Sequence, residues 1–132
     1  MSVLVDSSVW SLALRRSRPP SPHADALTKL VRTGNALLLG IVRQEVLSGI
    51  PDLVRFERLR DELRNLPDHP VTSFHYETAA EFFNRCRRHG VQGTTVDFLI
   101  CAVAALEDLE IYTTDRDFQL FAKHLPIKLF VH

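Results

Sequence analysis

The sequence predicts an α/β fold, a three-layer α/β/α sandwich around a short, mainly parallel central sheet. Three observations predict it. Short apolar runs of strand formers recur at Val3-Leu4-Val5, Ala36 to Leu39 and Ile111 to Thr113. Helical patterns separate them, and right-handed crossovers between parallel strands place such helices on both faces of a sheet. The first run also lacks polar alternation, as expected for a strand covered on both sides. With 132 residues the chain is sized for one domain, residues 1–132, with a core that needs no disulfide or structural metal.

Each element follows from local signals. After Val3-Leu4-Val5, Ser7 and Ser8 can cap a short helix to about Leu14, which the Arg15 to Pro20 segment breaks. Ser21-Pro22 supplies an N-cap and a proline at the first helical position, and Gly34 closes that helix. Ala36 to Leu39 reads as the second strand, and Ile41 to Leu47 as a helix stopped by Gly49 and Pro51. Asp52 caps the next helix, with an apolar stripe of Leu53, Phe56, Leu59, Leu63 and Leu66. Pro67 and Pro70 bracket a loop, and Val71-Thr72 reads as a short strand. Tyr76, Ala79, Ala80, Phe83 and Cys86 repeat at helical spacing up to Gly90. Thr94 and Thr95 open a strongly apolar helix through Leu106. Ile111 to Thr113, a helix from Asp115 to His124 and a last strand from Ile127 to Val131 complete the pattern.

Composition narrows the class. Lys+Arg and Asp+Glu both count 16, so no net charge advertises a polyanionic partner. The cations are nonetheless thirteen arginines against three lysines. Guanidinium forks suit phosphates and stack on bases, although an arginine-rich genome gives the same bias. Cys86 and Cys101 lack metal-site spacing and read as buried or idle thiols of a reducing compartment. The N-terminus has no basic stretch before its short apolar run, and no segment is long enough to span a bilayer. The expectation is a soluble cytoplasmic protein with no membrane partner.

The chemistry lies in four acids. Asp6 directly follows one strand, and Asp115 follows the strand ending at Thr113 or Thr114. Parallel pairing puts both on the carboxyl edge of the sheet, where α/β folds place their sites. Asp97 stands three residues after Thr94, a capping spacing at a helix start on that same edge. Glu45 sits on or at the margin of the inward stripe of its helix. Either a cation or hydrogen bonds must satisfy it there, or it merely edges the stripe and reaches water. Carboxylates gathered in one cleft without a lysine fit a hard cation, Mg²⁺ or Mn²⁺, and hence phosphate chemistry. The six histidines are scattered and show no metalloprotease pattern.

Taken together, Val3-Leu4-Val5-Asp6-Ser7-Ser8-Val9-Trp10, Gln44-Glu45-Val46-Leu47-Ser48-Gly49, Thr95-Val96-Asp97-Phe98-Leu99-Ile100-Cys101-Ala102 and Tyr112-Thr113-Thr114-Asp115-Arg116-Asp117-Phe118 resemble the motifs of PIN-domain ribonucleases. The order and spacing are most similar to the VapC-type toxins of toxin–antitoxin pairs. The resemblance implies an Mg²⁺- or Mn²⁺-dependent endoribonuclease, a homodimer, and a VapB-type antitoxin whose tail blocks the cleft. It implies Asp6, Asp97 and Asp115 as the acids nearest the metal, with Glu45 binding directly or through water. Ser7 and Thr113 or Thr114 would supply hydroxyls. Asp117 would cap or pair, or support the metal from outside. Gly40 departs from the pattern, which would have a small hydroxyl residue there.

Arg85, Arg87 and Arg88 end the helix leading towards Asp97. They could hold RNA phosphates or simply complement a helix C-terminus. Arg15, Arg16 and Arg18 fit a solvated turn better. Trp10 belongs to the core or to a partner surface. The rival to a nuclease is a non-catalytic RNA- or protein-binding domain of the same fold.

Overall fold

The computed structural model describes residues 1–14 and 21–132. The Arg15, Arg16 and Arg18 cluster lies outside the described residues. The elements run β1 (Val3–Val5), α1 (Ser7–Ala13), α2 (Pro22–Arg32), β2 (Ala36–Leu37), α3 (Gly40–Ser48), α4 (Leu53–Leu63), α5 (Ser73–Arg88), α6 (Thr95–Glu107), β3 (Glu110–Tyr112), α7 (Asp117–Phe121) and β4 (Lys128–Leu129).

The four strands form one sheet in the order β2-β1-β3-β4, and every pairing is parallel. Val3, Leu4 and Val5 pair with Glu110, Ile111 and Tyr112 across the centre. All three β1 residues are buried. Successive strand side chains point to opposite faces, so both faces must be covered by helices. This is the expected sandwich. One contiguous apolar cluster joins the sheet to α6, where Phe98 through Ala104 are all buried, and to Phe118 and Phe121 of α7.

Local chemistry places the starts of α2, α4 and α6 where the sequence put them, whereas α1 opens at Asp6 with no side-chain cap from Ser7 or Ser8. Ser21 Oγ accepts from Ala24 N at 3.0 Å ahead of Pro22, and Asp52 accepts from Arg55 N at 3.3 Å. Thr94 and Asp97 form a reciprocal capping box on α6. Three sequence expectations change. Val71-Thr72 is not a strand: Thr72 caps α5, its N–H donating to His75 Nδ1 at 2.9 Å. The β2 edge is met instead by Asp68, which bridges to Leu38. The outer strands and α7 are shorter than their apolar runs, because only their inner residues meet a partner strand or the core. The stripe of α5 is turned relative to expectation. Ala79, Phe82 and Cys86 are buried, while Tyr76 is exposed on the rim of a groove shared with Ile41 and α6.

Two side-chain clasps secure the α4–α5 connection. Arg43 reaches from α3 to the Asp68 carboxylate and to the carbonyls of Leu63 and Leu66. Glu107, at the end of α6, takes His69 Nε2 on one oxygen and His75 Nε2 on the other, each at 2.8 Å. Trp10 belongs to the core at 4% exposure, although its Nε1 finds no hydrogen-bond partner among the described residues. Both cysteines are buried free thiols. Burial pushes their pKa up, that of Cys101 well above the ordinary value, so neither is poised as a thiolate. No helix of the described residues is long and apolar enough to cross a membrane.

Candidate active site

Asp6 is the anchor of the site. It follows β1 directly and opens α1, and its N–H continues the central ladder to Tyr112 O at 2.9 Å. At 5% exposure it is the buried charged residue of the described chain. Burial of a carboxylate demands donors. Ser8 Oγ donates to Asp6 Oδ2 at 2.9 Å, Thr113 Oγ1 donates to the same oxygen at 2.8 Å, and Ser7 Oγ approaches Oδ1 at 3.5 Å.

Thr113 also links the two strand ends. Its hydroxyl accepts from Asp115 N at 3.0 Å, so one oxygen positions Asp6 and the backbone of Asp115 together. Ser8 completes the bracket, lying 3.3 Å from Thr113 Oγ1 and accepting from Thr114 N at 3.0 Å. Thr114 thus contributes its backbone, and its side chain is exposed. The parallel β1–β3 pairing makes this closure possible, because both strands deliver their next residues to the same edge.

Asp115 turns the chain into α7, its Oδ1 accepting from Asp117 N at 2.9 Å. Asp117 itself is exposed. Asp97 sits in the first turn of α6, with Oδ2 accepting from Thr94 N at 3.0 Å and its own N–H donating to Thr94 Oγ1 at 3.1 Å. Each of Asp97 and Asp115 therefore commits one carboxylate oxygen to local structure and leaves the other without a hydrogen bond among the described residues.

Of the two placements the sequence left open for Glu45, the structure shows the one at the edge of the stripe, open to water. It is exposed rather than set in the apolar stripe of α3, where Val42 and Val46 are the buried residues. Its carboxyl nevertheless lies near enough to Asp6, Asp97 and Ser7 to be perturbed by them. Its pKa is raised, first by partial burial and then by the Asp6 carboxylate, with a smaller push from Asp97 and a pull back from the Ser7 hydroxyl. The pKa of Asp97 is raised by burial first, against the Thr94 hydrogen bonds that lower it, with Asp6 and Asp115 adding repulsion.

The four acids thus share one electrostatic neighbourhood. None has an ion-pair partner among the described residues. Mutual repulsion without a protein countercharge, and donors that are all oxygen, fit a hard divalent cation. As placed, no three His, Cys, Asp or Glu side chains among the described residues are gathered into a closed ligand group. Asp6, Asp97 and Asp115 are each engaged by a hydroxyl or backbone N–H of their own surroundings.

The three arginines separate. Arg85 is engaged with Glu81 at 2.9 Å and lies over the Phe82 ring at 5.3 Å. Arg87 and Arg88 are exposed and make no ion pair among the described residues. Sequence reasoning missed Ser8 as a site residue. Its signal was available as the second hydroxyl after Asp6, but its partners Thr113 and Thr114 lie more than 100 positions away and are brought to it only by the sheet.

A parallel sheet with aspartates following its two central strands at the carboxyl edge defines the class. The family model for the PIN domain matches residues 3–124, and the chain belongs to that family. Among solved structures it is similar to FitAcB from Neisseria gonorrhoeae, at 20% identity and a TM-score of 0.79, covering 98% of this chain and 96% of that one. VapBC2 from Rickettsia felis, solved on a DNA fragment from its promoter, aligns at 17% identity and a TM-score of 0.76 over 98% of both chains. VapC20 from Mycobacterium tuberculosis, a toxin that cleaves the sarcin–ricin loop, aligns at 19% identity and a TM-score of 0.68 over 96% of this chain and 99% of that one. At these identities the likeness concerns the fold. No curated protein matches the sequence.

Proposed function

We propose that this protein is a divalent-metal-dependent endoribonuclease and the toxin of a VapBC-type pair, acting in the cytoplasm. The observation that carries the reading is the mutual repulsion linking Glu45 and Asp97 with Asp6, and Asp97 with Asp115, while none of the four has an ion-pair partner among the described residues. Membership of the PIN family and similarity to toxins such as VapC20 support it.

Asp6, Asp97 and Asp115 would hold Mg²⁺ or Mn²⁺, with Glu45 joining directly or through water. The ion would lower the pKa of a bound water and steady charge on the phosphoryl group. The chain's own residues set the geometry. Ser8 and Thr113 both donate to Asp6 Oδ2, which leaves Oδ1 only the longer 3.5 Å approach of the Ser7 hydroxyl. The capping box holds Asp97 at the start of α6. The Thr113 hydroxyl aligns Asp115, whose cap to Asp117 stiffens the turn. Glu45, with its raised pKa and its exposed position, is suited to orient the attacking water and receive its proton. Arg88, exposed near the end of α5, would steer the RNA backbone. A VapB-type antitoxin and a second copy of the chain are the expected partners.

The test is cleavage of single-stranded RNA by purified protein with Mg²⁺ or Mn²⁺. Asp6→Asn and Asp97→Asn should each abolish activity, and EDTA should do the same. Fragments should carry 5′-phosphates. Expression of the chain alone should arrest growth, and co-expression of the adjacent small gene product should relieve it. Wild-type protein that leaves RNA intact with Mn²⁺ present sinks the nuclease reading and favours a non-catalytic binding domain.

A further inference from the structure

A small cavity of about 220 Å³ opens between the end of α5 and the start of α6, lined by Phe83, Arg87, Val91, Gln92, Gly93 and Phe98. We propose that it is a base-recognition pocket that takes one guanine of the RNA strand crossing the acidic cleft. The proposal rests on the nuclease reading and deepens it.

The position comes from the chain itself. Gly93, on the rim, directly precedes Thr94, whose N–H is held by Asp97 Oδ2 at 3.0 Å. A base seated here leaves its own phosphates beside the α6 N-terminus and the cleft. The cavity is smaller than the roughly 300–1,000 Å³ of sites for larger ligands, which limits it to a single flat ring system.

The walls suit such a ring. Phe83 and Arg87 stand one helical turn apart and so present the same face of α5. Phe83 is half-buried, with its ring set at 5.4 Å and 73° to Phe98. Phe98 is braced in turn by Phe121 at 4.9 Å. This gives a rigid aromatic wall, and base stacking on such walls contributes about 1–3 kcal/mol.

The polar groups select guanine. The Arg87 fork matches the O6 and N7 acceptors of guanine, while the Gln92 amide can accept from its N1–H or N2–H. Adenine would set its N6 donors against the guanidinium, and a pyrimidine would be too small to reach both groups. Arg87 and Gln92 are exposed and make no side-chain hydrogen bond among the described residues, so neither must break an existing pair to bind. Arg85, by contrast, is committed to Glu81 and Phe82.

The experiment measures initial cleavage rates with Mn²⁺ on four short RNAs that differ only by G, A, C or U at each position in turn. Wild-type protein should prefer G at one position near the cut by roughly 5- to 150-fold, the range of one bidentate base contact. Arg87→Ala and Gln92→Ala should each collapse that ratio to under about threefold while thermal stability stays at the wild-type value. Binding of G- and A-containing oligonucleotides to Asp97→Asn, read by fluorescence anisotropy, should show the same preference and the same loss. G-selective binding without any cleavage would sink the nuclease reading and leave the pocket standing. Equal weakening on all four RNAs, loss of antitoxin binding alone, or no base preference in either assay would overturn the pocket.

Discussion

Replacing Thr113 by valine removes one oxygen atom and keeps nearly the same shape, so its effect isolates the hydroxyl that joins the two strand ends. That oxygen donates to the Asp6 carboxylate at 2.8 Å and accepts from Asp115 N at 3.0 Å. A hydrogen bond to a charged group contributes about 1.5–3 kcal/mol, and a neutral backbone one about 1 kcal/mol. Ser8 still holds Asp6 Oδ2, and Thr113 is only half-buried, so the lower half of the range applies. The expected loss is about 2.5–3 kcal/mol. For a chain of 132 residues this is a fall in Tm of roughly 6–15 °C. Urea unfolding should show a lower midpoint at unchanged slope, since the surface exposed on unfolding is the same. RNA cleavage should fall about 10- to 100-fold, as for other groups that orient metal-binding carboxylates. Thr113→Ser, which restores the hydroxyl, should recover most of both. A valine variant with wild-type Tm and wild-type cleavage would refute the claim that this hydroxyl sets the geometry of Asp6 and Asp115.

Asp97→Asn keeps an acceptor for Thr94 N–H and removes one negative charge. The carboxyl pKa values of Asp97 and Glu45 are raised in the folded protein, so their ionisation opposes folding. That cost is absent below their ordinary values of 3.8 and 4.5 and grows as pH rises through the raised ones. Metal-free Asp97→Asn should therefore be more heat-stable than wild type at neutral pH and lose that advantage below about pH 4. Mn²⁺ should raise the Tm of wild type and not of the variant, as calorimetry would show. Gly93→Ala would place a Cβ 2.5 Å from Phe121 Cζ and 3.0 Å from Phe98 Cε2, against two buried rings. It should cost about 1–3 kcal/mol by overpacking, measured by urea unfolding. Glu107→Ala unlatches His69 and His75 together. It should cost about 1–2 kcal/mol and speed hydrogen exchange at His69 N–H, which bonds Leu38 O at 2.8 Å.

Much of the scaffold was legible because its signals are local. Apolar runs marked three of the strands in their cores, and caps three residues long marked the starts of α2, α4 and α6. The ends of elements were less legible. A run such as Ile127 to Val131 has strand chemistry throughout, but pairing with β3 stops it at Lys128–Leu129. Helical spacing likewise showed that α5 has an apolar side. It did not show that Phe82 would be buried and Tyr76 left on a groove rim. Among the site residues, Glu45 shows the same limit: periodicity put it at the margin of a stripe, and the packing of its neighbours decided that it is exposed.

By itself the sequence determined which acids are available, that Asp6 and Asp115 follow strands, and that Asp97 caps its own helix, since such features depend on residues within a turn of one another. Tertiary structure alone decided that Thr113 would hold Asp6 across 107 positions and that Ser8 would reach Thr114. It also decided that Arg85 would be tied down while Arg87 faces a cavity. The physical reason is that these contacts depend on the register of parallel strands and the packing angle of helices. Many small burial terms over the whole core set both, and no short stretch of chain contains them.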